Sequence, residues 1–272
     1  MVKVGAIIQV RAGSERLPGK ALLPLPFSGG PSIIEHVVNR AQQTKSIQQV
    51  IIATTDRPSD DVIAAFCQTK GLHCFRGAAE DVLDRFFQAA NKYRLDMLVR
   101  LTGDNPFVMP GTIDYAVQKH SEAGVNYSIT EGLPLGTNVE VISFSALQRA
   151  ATEATEPADR EHVTPYIRRE DAFTTQVLPL ISAIKSLRLT VDYPTDYALV
   201  SLLYGRLYKE GSTFGFAEVE QQLKENPWLA AINKENAQRK AFASEAEEME
   251  EAKHMLRAGG FSRALQKLGS NS

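Results

Sequence analysis

The chain has 272 residues, 43% of them hydrophobic and 23% charged, with a formal net charge of −2 at pH 7. These proportions suit an ordinary globular core, and the nearly balanced charge gives no electrostatic basis for gripping nucleic acid or an anionic membrane. No apolar run is long enough to span a bilayer, and the run in the N-terminal MVKVGAIIQV is too short for a signal peptide.

In chain order, Val4–Gln9 reads as a buried strand and Pro31–Gln43 as a helix with Ile33, Ile34, Val37, Val38 and Ala41 on one face. Val50–Thr54 is a second strand, and the helix after it is predicted to take Ser59 as its N-cap with Asp60 and Asp61 in the first turn. Cys67 and Cys74 are the two cysteines; they lack the spacing of a zinc site and point to reduced thiols in a cytoplasmic setting. His73–Phe75 is a short strand, Asp81–Arg94 a helix whose core face carries Val82, Leu83, Phe86, Phe87 and Ala90, and Asp96–Leu101 a fourth strand. This alternation predicts an α/β fold, a mostly parallel Rossmann-like sheet with helices on both faces. The second half is less regular. Asn138–Phe144 and Phe173–Leu178 read as strands, with a helix over Ser145–Thr155 and a broken segment around Pro165 between them. Leu187–Asp192 reads as another strand and Pro194–Tyr208 as another helix. From Asn226 the chain is charged and helical through AEEMEEAK to a break at Gly259–Gly260. The expected division is a domain over 1–225 and a helical C-terminal extension over 226–272, packed on the domain, a second subunit or a partner.

Open α/β sheets bind ligands beyond the carboxyl ends of their strands. The first loop there, VRAGSERLPGKALLP, offers Gly13 and Gly19 for close backbone approach, with Arg11, Arg16 and Lys20 as cations. Phosphate recognition uses such a set, although an isolated loop of this kind is also a common solvated turn. It is not a Walker A loop: five residues separate the glycines, and Ala21 stands where a Ser or Thr would bind the metal. After the fourth strand, LTGDNPFVMP places Asp104 either to hold Mg²⁺ or to close a turn. TVDYPTD offers Asp192 at another strand end. In GTNVE, Asn138 and Glu140 share a strand face and either bind a sugar ring or meet water. DREHVTPY gathers Arg160, Glu161, His162 and Tyr166, which suits either a site or a salt-bridged surface helix.

Taken in order, IIQVRAGSERLPGKAL, IIATTDRPSDD, FRGAAEDVLDRF, VRLTGDNPFV, NVEVISFSAL, REHVTPYI and LRLTVDYPTDY resemble the cytidylyltransferase family that activates acidic sugars. That family includes the 3-deoxy-manno-octulosonate and acylneuraminate cytidylyltransferases, and the branch most like this chain is named for spore coat polysaccharide biosynthesis protein F. The resemblance covers roughly the first 200 residues. It implies a nucleotide-diphospho-sugar transferase type of sheet and transfer of CMP from CTP to a sugar-type acceptor, with Mg²⁺ as cofactor and a homodimer as a possible assembly. By the same resemblance, Arg11, Gly13, Ser14, Arg16 and Lys20 cradle the triphosphate, Arg11 and Lys20 acting catalytically. Arg76 and Asp81 shape the nucleotide pocket, Asp104 and Asp192 ligate the metal, and Asn138, Glu140, Arg160 and His162 meet the acceptor. The PFSGGPSIIEH connection is longer than the family's usual G-x-P, and the tail after residue 226 matches nothing in it.

Three other readings compete. A GT-A-type glycosyltransferase would consume a nucleotide sugar, but TGDNP lacks that class's D-x-D. A nucleotide-binding module without catalysis is disfavoured by the retention of Lys20, Asp104 and Asp192 together. A scaffold built on the charged tail is compatible with catalysis.

Overall fold

The structure is a computed structural model and describes residues 2–236 and 245–269. Seven strands form one sheet: β1 (Val4–Gln9), β2 (Gln49–Thr55), β3 (His73–Gly77), β4 (Met97–Thr102), β5 (Tyr127–Glu131), β6 (Glu140–Ser143) and β7 (Thr175–Pro179). Their order is β3-β2-β1-β4-β6-β5-β7, and β6 alone runs antiparallel to its neighbours. The mostly parallel α/β sheet expected from the alternation is thus the fold observed. Central β1 and β2 are buried along nearly their whole length, because helices cover both faces, and their sequences accordingly run apolar without alternation.

On one face lie α1 (Ile33–Gln42), α2 (Asp61–Lys70) and α4 (Pro110–Ala123), packed around Ile8, Ile52, Val99 and Val141. On the other lie α3 (Val82–Lys92), α5 (Phe144–Glu153), α6 (Pro157–His162) and α7 (Pro165–Arg169), closing over Ile7, Ile51, Leu98 and Ile142. Each of these isoleucines is fully buried, which is worth about 1.5–3 kcal/mol apiece relative to exposure. Helix α1 begins two residues later than its sequence pattern suggests, because a capping box fixes its start: Ser32 Oγ accepts from Glu35 N–H at 3.4 Å and Ser32 N–H donates to Glu35 Oε2 at 2.9 Å.

Two expectations are corrected. Ser59 does not cap α2; Pro58–Asp60 forms a short 3₁₀ turn instead. Asp60 turns inward, 1% exposed, where Ala12 N–H donates to it at 2.7 Å and Thr55 N–H at 3.2 Å. Burial alone would raise the Asp60 carboxyl, but these bonds and the Thr54 and Thr55 hydroxyls hold it below the usual range. The first loop is thereby tied to the end of β2. Leu187–Asp192 is not a strand of the sheet. It makes one parallel bridge, Leu135 to Arg188, and is apolar because it belongs to a third core with Leu25, Phe107, α8 (Pro194–Leu207) and α9 (Phe216–Glu225). The strand expected from Asn138 starts at Glu140, and β5 had no sequence reading.

After α9 the chain continues to pack on this body. Leu229 is fully buried in the third core, and Asn233 Nδ2 donates to Arg188 O and Asp196 Oδ1, both at 2.9 Å. Two further helices, α10 (Glu245–Ala258) and α11 (Ser262–Gly269), follow and contact each other. Among the described residues no helix is long and apolar enough to cross a membrane.

Candidate active site

Three loops meet beyond the carboxyl ends of β1 and β4. A close backbone approach makes this possible: Gly103 N–H donates to Gln9 O at 2.8 Å, and a Cβ on Gly103 would lie 2.9 Å from Val10 Cβ. The next residue, Asp104, is tied by its carbonyl to Val191 N–H at 2.9 Å, which brings in the segment carrying Asp192. In the first loop Gly19 adopts a left-handed conformation (φ 67°) that turns the chain so that Lys20 points back between the other two loops.

Lys20 Nζ is the hub. It donates to Asp104 Oδ2 at 2.7 Å, Asp192 Oδ1 at 2.8 Å and Val191 O at 2.8 Å. Burial alone would lower the Lys20 ammonium, yet the Asp104 and Asp192 carboxylates outweigh it and hold it above its ordinary value. Burial opposes ionisation of Asp192 too, and Lys20, Arg16 and Arg188 overcome it and keep that carboxyl below its usual range. Arg188 Nη2 lies 2.6 Å from Asp192 Oδ2, and Arg16 Nη2 lies 3.3 Å from Asp192 Oδ1. Behind them the fully buried Asp196 accepts from Asp192 N–H and Tyr193 N–H at 3.0 Å and pairs with Arg188. Thr102 Oγ1 fixes Asp104 Oδ1 at 2.7 Å and accepts from Asn105 Nδ2 at 2.6 Å.

These residues open onto a cleft of about 420 Å³. Of the residues singled out from sequence, Arg11, Gly13, Ser14, Arg16, Lys20, Asp104, Asp192 and His162 line it. Arg11 is exposed and makes no ion pair among the described residues, and a Cβ on Gly13 would meet nothing within 4 Å. His162 is presented at the end of α6, where Val163 takes φ 73°. A β-branched residue in that region carries backbone strain of about 1–3 kcal/mol. Full burial of Val163 and its N–H bond to Asp159 O at 3.0 Å hold it there.

The remaining sequence candidates are not brought into this cleft. Arg76 donates to Thr55 O and Arg57 O, both at 2.9 Å, and pairs with Asp61. Asp81 caps α3 through Asp84 N–H and pairs with Arg160, which also donates to Ala151 O and Ala154 O. Asn138 and Glu140 line a separate cavity of about 70 Å³, next to Arg100 and Thr102, which border both spaces. The Glu140 carboxylate is fully engaged: Arg100 pairs with it, and the Tyr127 and Thr164 hydroxyls donate to it. Burial would raise Glu140; Arg100 and these donors hold it below the usual carboxylate range.

Four charged lining residues had no role assigned from sequence, Glu15, Arg57, Arg85 and Arg100, and Glu161 of the DREHVTPY segment lines the cleft beside His162. Arg85 is 3% exposed, and its Nε has no hydrogen-bond partner, as is also true of Arg100 Nε. Burial first, and then Arg11 nearby, push the Arg85 guanidinium below its ordinary value. The signal for Arg85 was a charge inside the apolar stripe Val82–Phe86–Ala89; for Arg100 it was a charge in the apolar run of β4. With Arg11, Arg16, Lys20, Arg57, Arg85 and Arg100 set against Glu15, Asp104, Glu161 and Asp192, the lining carries six cations and four carboxylates. Such a wall favours a polyanion. Among the described residues no three His, Cys, Asp or Glu side chains gather as a metal cage. The protein instead offers two hard oxygen donors from separate loops, the number Mg²⁺ takes when phosphates and waters complete its shell.

Comparisons with known proteins bear on the family and the fold. The family model described as Cytidylyltransferase matches residues 5–252. The spore coat polysaccharide biosynthesis protein SpsF of Bacillus subtilis is 38% identical over 206 residues, covering 73% of this chain and 85% of its own. A 3-deoxy-manno-octulosonate cytidylyltransferase of Anaeromyxobacter dehalogenans is 38% identical over 127 residues, covering 46% of this chain and 50% of its own. Among solved structures, a cytidylyltransferase from Leptospira borgpetersenii superposes with TM-score 0.78 at 27% identity, covering 88% of this chain and all of that one.

Proposed function

Because the chain belongs to the cytidylyltransferase family, we propose that it transfers CMP from CTP to an acidic sugar-type acceptor and releases pyrophosphate. The observation that carries the reading is the meeting of Lys20, Asp104 and Asp192 on the wall of a cation-rich cleft. In this reading Arg11, Arg16 and the amides around Gly13 and Ser14 hold the triphosphate. The acceptor hydroxyl attacks the α-phosphorus in line; a P–O bond to the sugar forms as the bond to the bridging oxygen of pyrophosphate breaks, and the hydroxyl proton is released. Asp104 and Asp192 would hold Mg²⁺, which when bound neutralises charge on the phosphate oxygens. Lys20 is placed to follow the charge that builds on the departing pyrophosphate, a contribution of position and electrostatics. Arg57 and Arg85 complete the positive wall. His162 and Arg100 face the acceptor side, with Asn138 and Glu140 behind Arg100. Arg76, Asp81 and Arg160 shape the pocket from outside it, through α3 and the end of β2. The acceptor expected is a keto-deoxy sugar acid, by analogy with the named substrate of the Anaeromyxobacter relative, and the name of the SpsF relative supports a product used in polysaccharide biosynthesis. A cytoplasmic homodimer is the setting this reading expects.

The test is pyrophosphate release by the purified protein, with each of CTP, ATP, GTP and UTP, with and without Mg²⁺, against 3-deoxy-manno-octulosonate and N-acetylneuraminate. Release with CTP that requires both Mg²⁺ and a sugar acid is the expected result. Turnover of CMP-sugars with no response to any triphosphate would replace the reading with a glycosyltransferase.

A further inference from the structure

A second cavity, of about 310 Å³, lies between the second half of α1, the end of α8 and the 208–214 loop, and shares no lining residue with the cleft. Its volume falls within the range of small-molecule sites. Its wall includes Arg40, which is 4% exposed and has no carboxylate within ion-pair distance among the described residues. Arg40 donates to neutral groups: Phe214 O at 3.2 Å, Val108 O at 3.4 Å and Met109 Sδ at 3.4 Å, with the Tyr204 hydroxyl also beside it. The acidic residue one turn away on α1, Glu35, is engaged by Lys70 and by the Ser32 cap. A buried guanidinium without a counter-charge is costly, and carbonyl dipoles offset only part of that cost.

Flat rings line the same space. The Arg40 guanidinium lies 4.6 Å from the Phe214 ring centroid, and His36 packs against Tyr204 at 4.4 Å and Tyr208 at 4.8 Å. Burial first, and then Arg40, keep His36 below its ordinary value, and its Nε2 donates to Leu25 O at 3.0 Å, so the ring supplies no charge. The mouth is polar and exposed: Asn39, Gln43, Ser212 and Thr213. We infer that this cavity binds a compact organic anion, a single carboxylate or phosphate on a ring-sized body, with the anion on Arg40 and the ring among His36, Tyr208 and Phe214. The anion completes the charge balance of Arg40, and the aromatic wall selects for a flat partner over a bare ion.

Calorimetric titration of the full chain with phenyl phosphate, benzoate and uncharged benzyl alcohol tests this. The two anions are expected to bind with millimolar or tighter affinity and benzyl alcohol at least tenfold more weakly. Two variants separate site from fold. Arg40→Gln should lose at least tenfold, and Asn39→Trp, which fills the mouth from an exposed helix position, should lose as much while melting like the parent. Lys20→Ala should bind the anions unchanged, since it belongs to the other cavity. Equal binding of benzyl alcohol, no binding at ten millimolar, or anion binding that survives Asn39→Trp and vanishes with Lys20→Ala would each overturn the assignment.

Discussion

Two ionic clusters in this molecule are built from similar residue types and differ in whether they border the cleft. In the first, Lys20, Asp104 and Asp192 sit on the cleft wall, their side chains 13%, 25% and 20% exposed, with Arg16 and Arg188 adding positive charge to Asp192. In the second, Asp81 is taken up by the start of α3 and by Arg160, and the remaining donors of Arg160 are closed by two carbonyls. The first cluster holds charge at the edge of a space large enough for a nucleotide; the second joins α3 to α5 and α6 and does not line that space. Motif-like sequence surrounds both, so a motif locates charged residues without saying whether they border a space that a ligand can enter.

The comparison breaks most readily at the carboxylates. Asp104→Ala and Asp192→Ala should each lower kcat/KM by about 10³-fold, the scale of losing a transition-state electrostatic partner, and flatten the Mg²⁺ dependence of pyrophosphate release. Near-parental activity in both would show that the open cluster is as structural as the closed one. Lys20→Ala should cost about 10²-fold in kcat with a smaller change in KM for CTP, because its charge matters most as pyrophosphate leaves. A change confined to KM would reassign Lys20 to ground-state binding. At the closed cluster the pattern should invert. Arg160→Ala is expected to lose about 1–2 kcal/mol in urea denaturation, as for a half-buried pair that also serves a helix start, with kcat/KM within a few-fold of the parent. Intact stability with collapsed activity would return Arg160 to the acceptor-contact role that the family resemblance implies.

This contrast also explains which parts were legible in the sequence. The sheet was readable because β1, β2 and β4 are central and covered on both faces, so each shows as a mostly apolar run, broken in β4 only by Arg100. Leu187–Asp192 looked the same for a different reason: it is buried by α8 and α9 and not by sheet pairing, and apolar composition cannot distinguish the two. Asp60 escaped because a Ser-Asp-Asp run reads as a helix start, whereas the decisive partner, Ala12 N–H, is 48 residues away in sequence. In the site, Lys20, Asp104 and Asp192 stood out because glycines flank two of the three loops. Arg57, Arg85 and Arg100 reach the cleft from an extended turn, a helix and a strand, and only the last two leave a trace, as charges interrupting an apolar face.

His120 adds a finer case away from both clusters, a buried polar group with one ring nitrogen bonded and one left over. On α4 it is 1% exposed; Nδ1 shares a hydrogen bond with Ser128 Oγ at 2.9 Å, and Nε2 is buried without a partner. No carboxylate compensates a proton there, and burial pushes the ring down to about 4. The sign follows: between that value and the ordinary 6.5, the unfolded chain takes up a proton that the folded chain refuses, so stability falls as pH falls through this window. At pH 5.5 the loss relative to pH 7.5 should be about 1 kcal/mol from this residue. Denaturation of the parent and of His120→Asn at both pH values isolates it, since His36, also lowered by burial, contributes equally to both proteins. A parent that loses about 1 kcal/mol more than the variant on acidification supports a neutral, closed histidine. Parallel losses in the two proteins would mean that a proton is accommodated at Nε2.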